Sequence, residues 1–148
     1  MTMNPQDLKQ KLKGVFSFPA TPFHQDLSLN TEALKENVSA VKGTGVSMIA
    51  PGCGTGEFVS LTFDEFTRVL ETTVEEVNGA IPVIAGTGHG VVMAREMAVA
   101  AQEIGVDGLL VLPPYLVTPE PEGLAKYVAA IAQAVDIGII LYNTNNAI

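Results

Sequence analysis

The sequence predicts an α/β fold in which parallel strands alternate with helices. Three observations predict it. Short segments that are apolar almost throughout recur along the chain, and the stretches between them carry helical periodicity. The starts of successive apolar segments lie 26 to 37 residues apart, which suits one strand, one helix and the return to the sheet. Strands that are apolar on both sides are typical of parallel sheets covered on both faces.

The apolar segments are the candidate strands of this sheet. They span residues 15–20, 46–50, 83–85, 109–112 and 137–142. Residues 1–14 are predicted to form a helical segment before the first strand.

Each gap between strands carries an apolar stripe at helical spacing. The clearest stripe covers residues 66–77, between a capping box formed by Thr62 and Glu65 and a stop signal at Asn78 and Gly79. The other stripes are Leu34, Val38 and Val41 before Gly43; Ala94, Met97, Ala98, Ala101 and Ile104 before Gly105; and Leu124, Tyr127, Val128, Ile131 and Val135.

Composition restricts the possible partners. The chain has 148 residues, a mass of 15.6 kDa and a net charge of −8. This length suits one domain, residues 1–148. The acidic balance argues against binding to nucleic acid or to an anionic membrane, because both attract basic patches. No apolar run is long enough to cross a bilayer.

The charged fraction of the chain is low, at 16%. Such a surface is short of solvating groups, so we expect a partner subunit or a further half of the fold to cover part of it. Cys53 is the single cysteine, so no intramolecular disulfide can form and a cytoplasmic location is expected.

Two architectures remain open at this point. Five strands with four crossover helices fit a flavodoxin-like binding domain, although no covering helix follows the fifth strand. They also fit part of a (β/α)₈ barrel, which needs about 250 residues in all. In both architectures ligands bind at the carboxyl ends of the strands, so the loops there are the candidate site.

The loop of residues 52–56, Gly-Cys-Gly-Thr-Gly, is the strongest local signal. Clustered glycines let backbone N–H groups converge on a carboxylate or phosphate, and Thr55 adds a hydroxyl. The spacing is neither a dinucleotide fingerprint nor a P-loop. The alternative is a glycine-rich turn that geometry alone requires. Tyr142 ends the fifth strand, where its phenol could transfer protons or merely cap the core.

Other polar residues in the loops are weaker candidates. Cys53, His24 and His89 match no metal-ligand spacing, and we expect Cys53 to be a small buried residue and His89 a loop residue. Glu57 could act as a base, but we expect its carboxylate to order its own loop. The lysines all fall in predicted helices or the N-terminal segment: Lys9, Lys11, Lys13, Lys35, Lys42 and Lys126.

The loops together resemble a known family. Thr-Pro-Phe at 21–23, Gly-Thr-Gly-Glu at 54–57, Gly-Thr-Gly at 86–88 and Leu-Tyr-Asn at 141–143 occur in the order and spacing of the dihydrodipicolinate synthase / N-acetylneuraminate lyase family. The resemblance implies that the chain forms the N-terminal five βα units of a (β/α)₈ TIM barrel and stops after strand 5. It also implies a homo-oligomer that needs no cofactor and no metal.

The resemblance further implies a Schiff base between a lysine and a small-molecule 2-keto acid. That lysine lies on the sixth strand of the family fold, beyond residue 148. Tyr142 matches the tyrosine that relays protons, and Gly54 and Thr55 match the loop that holds the substrate carboxylate. Thr21 and Asn143, which follow the first and fifth strands, are predicted to contact the substrate as well.

Within the family, the chain is most similar to the dehydratase branch. Synthases have a threonine where Gly54 stands and a second tyrosine where Leu116 stands. The implied reaction removes water and carbon dioxide from 5-dehydro-4-deoxyglucarate and leaves 2,5-dioxopentanoate. Thr144 and Asn145 replace an Arg-Asp pair that is usual in that branch. A synthase-like aldolase and a non-catalytic half-barrel that associates with another chain remain the alternatives.

Overall fold

In the computed structural model, which describes residues 3–114 and 119–143, five short strands alternate with helices. In chain order the elements are α1 (Pro5–Lys11), β1 (Phe16–Ser17), α2 (Thr31–Lys42), β2 (Met48–Ile49), α3 (Phe63–Val77), β3 (Ile84–Thr87), α4 (Val91–Ile104), β4 (Gly108–Val111), α5 (Pro121–Ala132) and β5 (Gly138–Leu141). A 3₁₀ turn, Phe58–Ser60, precedes α3. The predicted strands and crossover helices are therefore confirmed, although β1 and β2 are shorter than predicted.

The strands are parallel and follow one another in sequence order across the sheet. β1 pairs with β2, and β3, β4 and β5 pair in turn. A bridge between Ile49 and Val83 joins the two groups, and the Ile49 N–H donates to the Pro82 carbonyl at 3.0 Å. A flavodoxin-like sheet would place β1 between β2 and β3. That alternative is wrong, and the order is the one a barrel requires.

One face of the sheet is covered by helices α2 to α5, each of which packs against the next. The outer core combines large residues of α3, such as Phe66 and Leu70, with Ile49 and Leu109 from the strands. α4 instead buries three alanines and Met97, and these small side chains let the helix approach the sheet closely. Within the described residues no helix is long and apolar enough to cross a membrane.

The predicted start and stop of α3 are confirmed. The Thr62 hydroxyl accepts the Glu65 N–H at 3.2 Å, and the Glu65 carboxylate accepts the Thr62 N–H at 2.8 Å. Both the backbone and the hydroxyl of Thr62 donate to this carboxylate, which lowers the pKa of Glu65. At the other end Asn78 adopts the left-handed conformation and closes the helix.

α1 packs against the other face of the sheet, at the amino ends of the strands. Leu8 is buried, and its Cδ2 would lie 2.6 Å from a Cβ added at Gly108 and 2.8 Å from one added at Gly138. The two glycines therefore form a seat for Leu8 at the amino ends of β4 and β5. Ile84, which is in register with Gly108, and Leu110, two residues further along β4, belong to this inner cluster.

The lysines lie away from the carboxyl ends of the strands. They belong to α1, α2 and α5 or follow α1 directly, as predicted for solvated helix faces: Lys9, Lys11, Lys13, Lys35, Lys42 and Lys126. The closest ion pair among them joins Lys42 of α2 to Glu76 of α3 at 2.6 Å.

Candidate active site

The loops after β1 and β2 are tied together at the carboxyl end of the sheet. Thr21 follows β1 and is buried, and its hydroxyl donates to the Gly56 carbonyl at 2.8 Å. A Cβ added at Gly56 would lie 2.8 Å from the Gly52 nitrogen and 3.1 Å from the Pro19 carbonyl oxygen. The Thr21 hydroxyl thus holds the glycine-rich loop in place.

The carboxyl-terminal half of β3 packs against the same glycine-rich loop. A Cβ added at Gly86 would lie 3.1 Å from the Gly52 carbonyl oxygen and 3.2 Å from the Cys53 sulfur. Cys53 is buried, as predicted, and burial raises the pKa of its thiol to about 12 despite a hydrogen bond from the Gly86 backbone. At neutral pH the sulfur is a packing atom and not a nucleophile.

Backbone hydrogen bonds continue this arrangement to β4 and β5. The Leu112 N–H donates to the Thr87 carbonyl at 2.8 Å, and the Tyr142 N–H donates to the Val111 carbonyl at 3.0 Å. Neighbouring parallel strands lie about 4.8 Å apart. The ends of all five strands therefore lie along one rim.

Tyr142 and Asn143 lie at this rim, and both are exposed. Ile140 packs against the inner cluster, and side chains two residues apart on a strand share a face. Tyr142 therefore continues the inner face beyond the end of β5. The predicted catalytic tyrosine is on the side of the sheet that a barrel would enclose.

The three glycines of the loop at 52–56 have different reasons to be glycine. Gly52 has a φ of +56°, which disfavours other residues, and Gly56 is crowded by backbone atoms. A Cβ added at Gly54 would meet nothing within 4 Å. The turn explanation therefore holds for Gly52 and Gly56, whereas Gly54 and the exposed Thr55 leave an open surface at the rim.

The difference between these glycines predicts a matched pair of variants. Gly56→Ala should lower the free energy of unfolding by about 2 kcal/mol, because the new methyl group meets backbone that cannot rotate away. Gly54→Ala should leave it unchanged or raise it slightly, because the space is open. Urea unfolding followed by circular dichroism measures both. Equal losses for the two variants would contradict the assigned packing.

The expectation for Glu57 is wrong in one respect. Its carboxylate is exposed and caps no helix, whereas its backbone orders the loop: the Glu57 N–H donates to the Gly54 carbonyl at 3.1 Å, and the Glu57 carbonyl accepts from Ser60 at 2.8 Å. A left-handed backbone, φ 60°, makes this double turn possible.

His89 is a loop residue, as predicted, and its ring stacks on Phe58 with centroids 4.8 Å apart.

The sequence did not reveal one contact at the rim. Tyr127 fits the apolar stripe of α5, yet its hydroxyl donates to the carbonyls of His89 at 3.3 Å and Leu112 at 3.5 Å. It therefore links the loops after β3 and β4, and burial raises its pKa to about 12. A tyrosine in an otherwise aliphatic stripe was the available signal.

Some predicted features lie outside the described residues. These are Leu116, Thr144 and Asn145. In the part of the chain that is described, no three His, Cys, Asp or Glu side chains gather as a metal site.

Sequence and structure comparisons agree on one group of proteins. A model of the dihydrodipicolinate synthetase family matches residues 11–147. A protein of Bradyrhizobium sp. (strain ORS 278), named "Probable 5-dehydro-4-deoxyglucarate dehydratase", is 46% identical over 99% of this chain and 47% of its own length. The chain thus spans about half the length of the curated relatives it matches.

Solved structures show the same similarity. Dihydrodipicolinate synthase from Bacillus clausii superposes with a TM-score of 0.89 at 30% identity, over 95% of this chain and 48% of that one. The synthase from Aquifex aeolicus superposes with a TM-score of 0.86 at 36% identity, over 90% of this chain and 45% of that one. Both cover this chain nearly end to end.

Proposed function

Because the chain belongs to the dihydrodipicolinate synthetase family, we propose that it contributes the substrate-binding rim of a Schiff-base lyase. The proposed substrate is 5-dehydro-4-deoxyglucarate, the compound in the names of the curated relatives. The proposed products are water, carbon dioxide and 2,5-dioxopentanoate. The observation that carries the proposal is the open surface of Gly54 and Thr55 on a rim shared by all five strand ends.

Gly54 and Thr55 are proposed to hold the carboxylate next to the keto group. Gly54 has no side chain to block an approaching ligand, and nothing in the fold requires that gap. Thr55 is exposed beside it. A hydroxyl and exposed backbone N–H groups suit a carboxylate. The Thr21 hydroxyl already donates to the Gly56 carbonyl, so the proposed role of Thr21 is to position this loop.

Tyr142 is proposed to transfer the proton, with Asn143 beside it as a hydrogen-bonding partner for the substrate. Both follow β5 at the rim, and Tyr142 continues the inner face. A phenol in that place can donate a proton to a leaving hydroxyl or accept one from the attacking amine. The glycine-rich loop follows β2, whereas Tyr142 follows β5. The two can therefore contact opposite parts of one bound molecule.

The proposed chemistry needs a lysine, which we place on a sixth strand beyond residue 148. Its amine attacks the keto carbon, and the keto oxygen leaves as water to give a protonated imine. The imine accepts electrons from the adjacent carbon as that carbon loses a proton, and the hydroxyl on the next carbon departs as water. The far carboxylate then leaves as carbon dioxide, and its bonding electrons enter the conjugated imine. The resulting dienamine takes up a proton on carbon, and its terminal enol shifts its own proton to carbon and becomes the aldehyde. Hydrolysis of the restored imine then frees the product and the lysine.

Borohydride trapping tests the proposal. The protein as isolated from its source is incubated with 5-dehydro-4-deoxyglucarate and borohydride, and the adduct is located by peptide mass mapping. We expect one modified lysine, which lies outside residues 1–148, and no adduct on the six lysines of this chain. Turnover without a trapped adduct, or an adduct on Lys42 or another of the six, would sink the proposal. A protein of 15.6 kDa with neither turnover nor adduct would favour the non-catalytic half-barrel.

The synthase-like aldolase is the second candidate, because the matched structures include dihydrodipicolinate synthases. Pyruvate separates the two functions in the same experiment. An aldolase should give a pyruvate adduct and no product from the sugar diacid, whereas the proposed dehydratase should consume the diacid. A cytoplasmic location and assembly into a homo-oligomer are further parts of the proposal.

A further inference from the structure

Phe58 lies directly behind the turn that carries the proposed carboxylate-binding residues. The Phe58 N–H donates to the Cys53 carbonyl at 3.1 Å, and the Glu57 N–H donates to the Gly54 carbonyl at 3.1 Å. These two bonds close the turn that presents Gly54 and Thr55. Phe58 is 4% exposed, whereas Thr55 is exposed. The base of the turn is therefore anchored in the core, while its tip faces the open rim.

The Phe58 ring packs against β3 and the loop that follows it. A Cβ added at Gly88 would lie 3.0 Å from Cε1 and 3.3 Å from Cζ of this ring, and a Cβ added at Gly86 would lie 3.3 Å from its Cδ2. The edge of the ring also meets Phe66, with centroids 6.5 Å apart. Gly88 does not adopt the left-handed conformation. The ring, and not the backbone angle, therefore requires a glycine at residue 88.

The backbone that supports the ring is fixed on both sides of Gly88. On one side Thr87 is fully buried, and its hydroxyl donates to the Ala94 carbonyl of α4 at 2.6 Å. On the other side the His89 carbonyl accepts the Tyr127 hydroxyl at 3.3 Å. A side chain that is packed against such a fixed backbone has little freedom to move. The position of the Phe58 ring is therefore set by β3, α4 and α5.

The contact between Phe58 and Gly88 connects this fixed backbone to the carboxylate-binding turn. We propose that Phe58 is a positioning residue, whose ring holds Gly54 and Thr55 in the conformation that receives a substrate carboxylate. The inference rests on the proposed function. Thr21 fixes the same turn from the β1 side, and Phe58 fixes it from the β3 side. A turn that is ordered beforehand loses little conformational entropy when a ligand binds.

Steady-state kinetics of the protein that contains both this chain and the lysine test the inference. Phe58→Leu should raise KM for 5-dehydro-4-deoxyglucarate by about tenfold and change kcat by less than about twofold, because binding must then order the turn. Gly88→Ala should raise KM similarly, because the methyl group displaces the ring. The double variant should return KM to within about threefold of the unchanged protein, since leucine lacks the Cε1 and Cζ atoms that the methyl group meets.

Two control variants separate this effect from general destabilisation. Gly90→Ala adds the same methyl group two residues further on, where a Cβ meets nothing within 4 Å, and should leave KM unchanged. Val77→Ala removes buried volume at the last residue of α3, and should lower the Tm without changing KM. Circular dichroism and thermal unfolding of every variant verify that it is folded.

Hydrogen exchange on the 148-residue chain gives a readout that does not depend on turnover. The Glu57 and Phe58 amides should exchange faster in Phe58→Leu and in Gly88→Ala, and the double variant should restore the slower exchange. Unchanged exchange of these amides in both single variants would overturn the inference.

The kinetic outcomes distinguish the role of Phe58 from the proposed function. An unchanged protein that does not consume the diacid defeats the proposed function itself. Turnover of the diacid with an unchanged KM in both single variants defeats the role of Phe58 alone. A fall in kcat in place of a rise in KM, or a double variant with a higher KM than both single variants, defeats it as well.

Discussion

Replacing Tyr142 by phenylalanine should lower kcat for the proposed dehydration by about 10²–10⁴-fold and leave KM nearly unchanged. The change removes one hydroxyl from a side chain that is exposed at the rim, and the bond from Tyr142 to β4 is made by its backbone N–H. The substrate should therefore still bind, while proton transfer fails. Steady-state kinetics of the protein that contains both this chain and the lysine measure the effect.

Tyr127→Phe is the matched control for this prediction. It makes the same chemical change at a tyrosine whose hydroxyl links two loops. It should cost about 1 kcal/mol of stability through the lost hydrogen bond and reduce kcat by less than about tenfold. If Tyr142→Phe retains kcat while Tyr127→Phe loses it, the reaction depends on the positions of the loops after β3 and β4 and not on a proton donor at residue 142.

Leu8→Ala should lower the free energy of unfolding by about 3 kcal/mol. Leu8 is 2% exposed, and its seat consists of two glycines that have no side chains to fill the resulting cavity. The surrounding backbone belongs to paired strands and cannot collapse inward. Equilibrium urea unfolding, followed by circular dichroism, gives the value.

Lys9→Ala, on the same helix, controls for changes in helix propensity. Lys9 is exposed, so its removal should change the unfolding free energy by no more than about 0.5 kcal/mol. A loss of less than about 1 kcal/mol for Leu8→Ala would show that α1 contributes little to holding the sheet.

The strands and helices could be predicted because their signals are local. The capping box at Thr62 and Glu65 and the stop at Asn78 depend on residues a few positions apart, and all of them form as expected. The strand order could not be read from periodicity, because barrel and doubly wound sheets share the same βα pattern. The bridge from Ile49 to Val83 decides between them, and it is a contact between distant segments.

The site was predicted in its parts but not in its connections. Gly54 and Thr55 were identified from their place after the second strand and Tyr142 from its place at the end of the fifth, and their roles in the site remain proposals. The tie from Thr21 to Gly56 and the link made by Tyr127 depend on side chains that meet only after folding. Glu57 shows the same limit, since its backbone and not its carboxylate orders the loop.

The seat of Leu8 also bears on the order of events during synthesis. The ribosome delivers α1 before any of the five strands, and Gly138 follows Leu8 by 130 residues. Each new βα unit can pair with the one just made, so the sheet can grow from the amino end as the chain emerges. The seat of Leu8 is complete only once β5 has been made, because Gly138 forms part of it. The helix that precedes β1 can thus dock fully only after the other elements of these five units have been made.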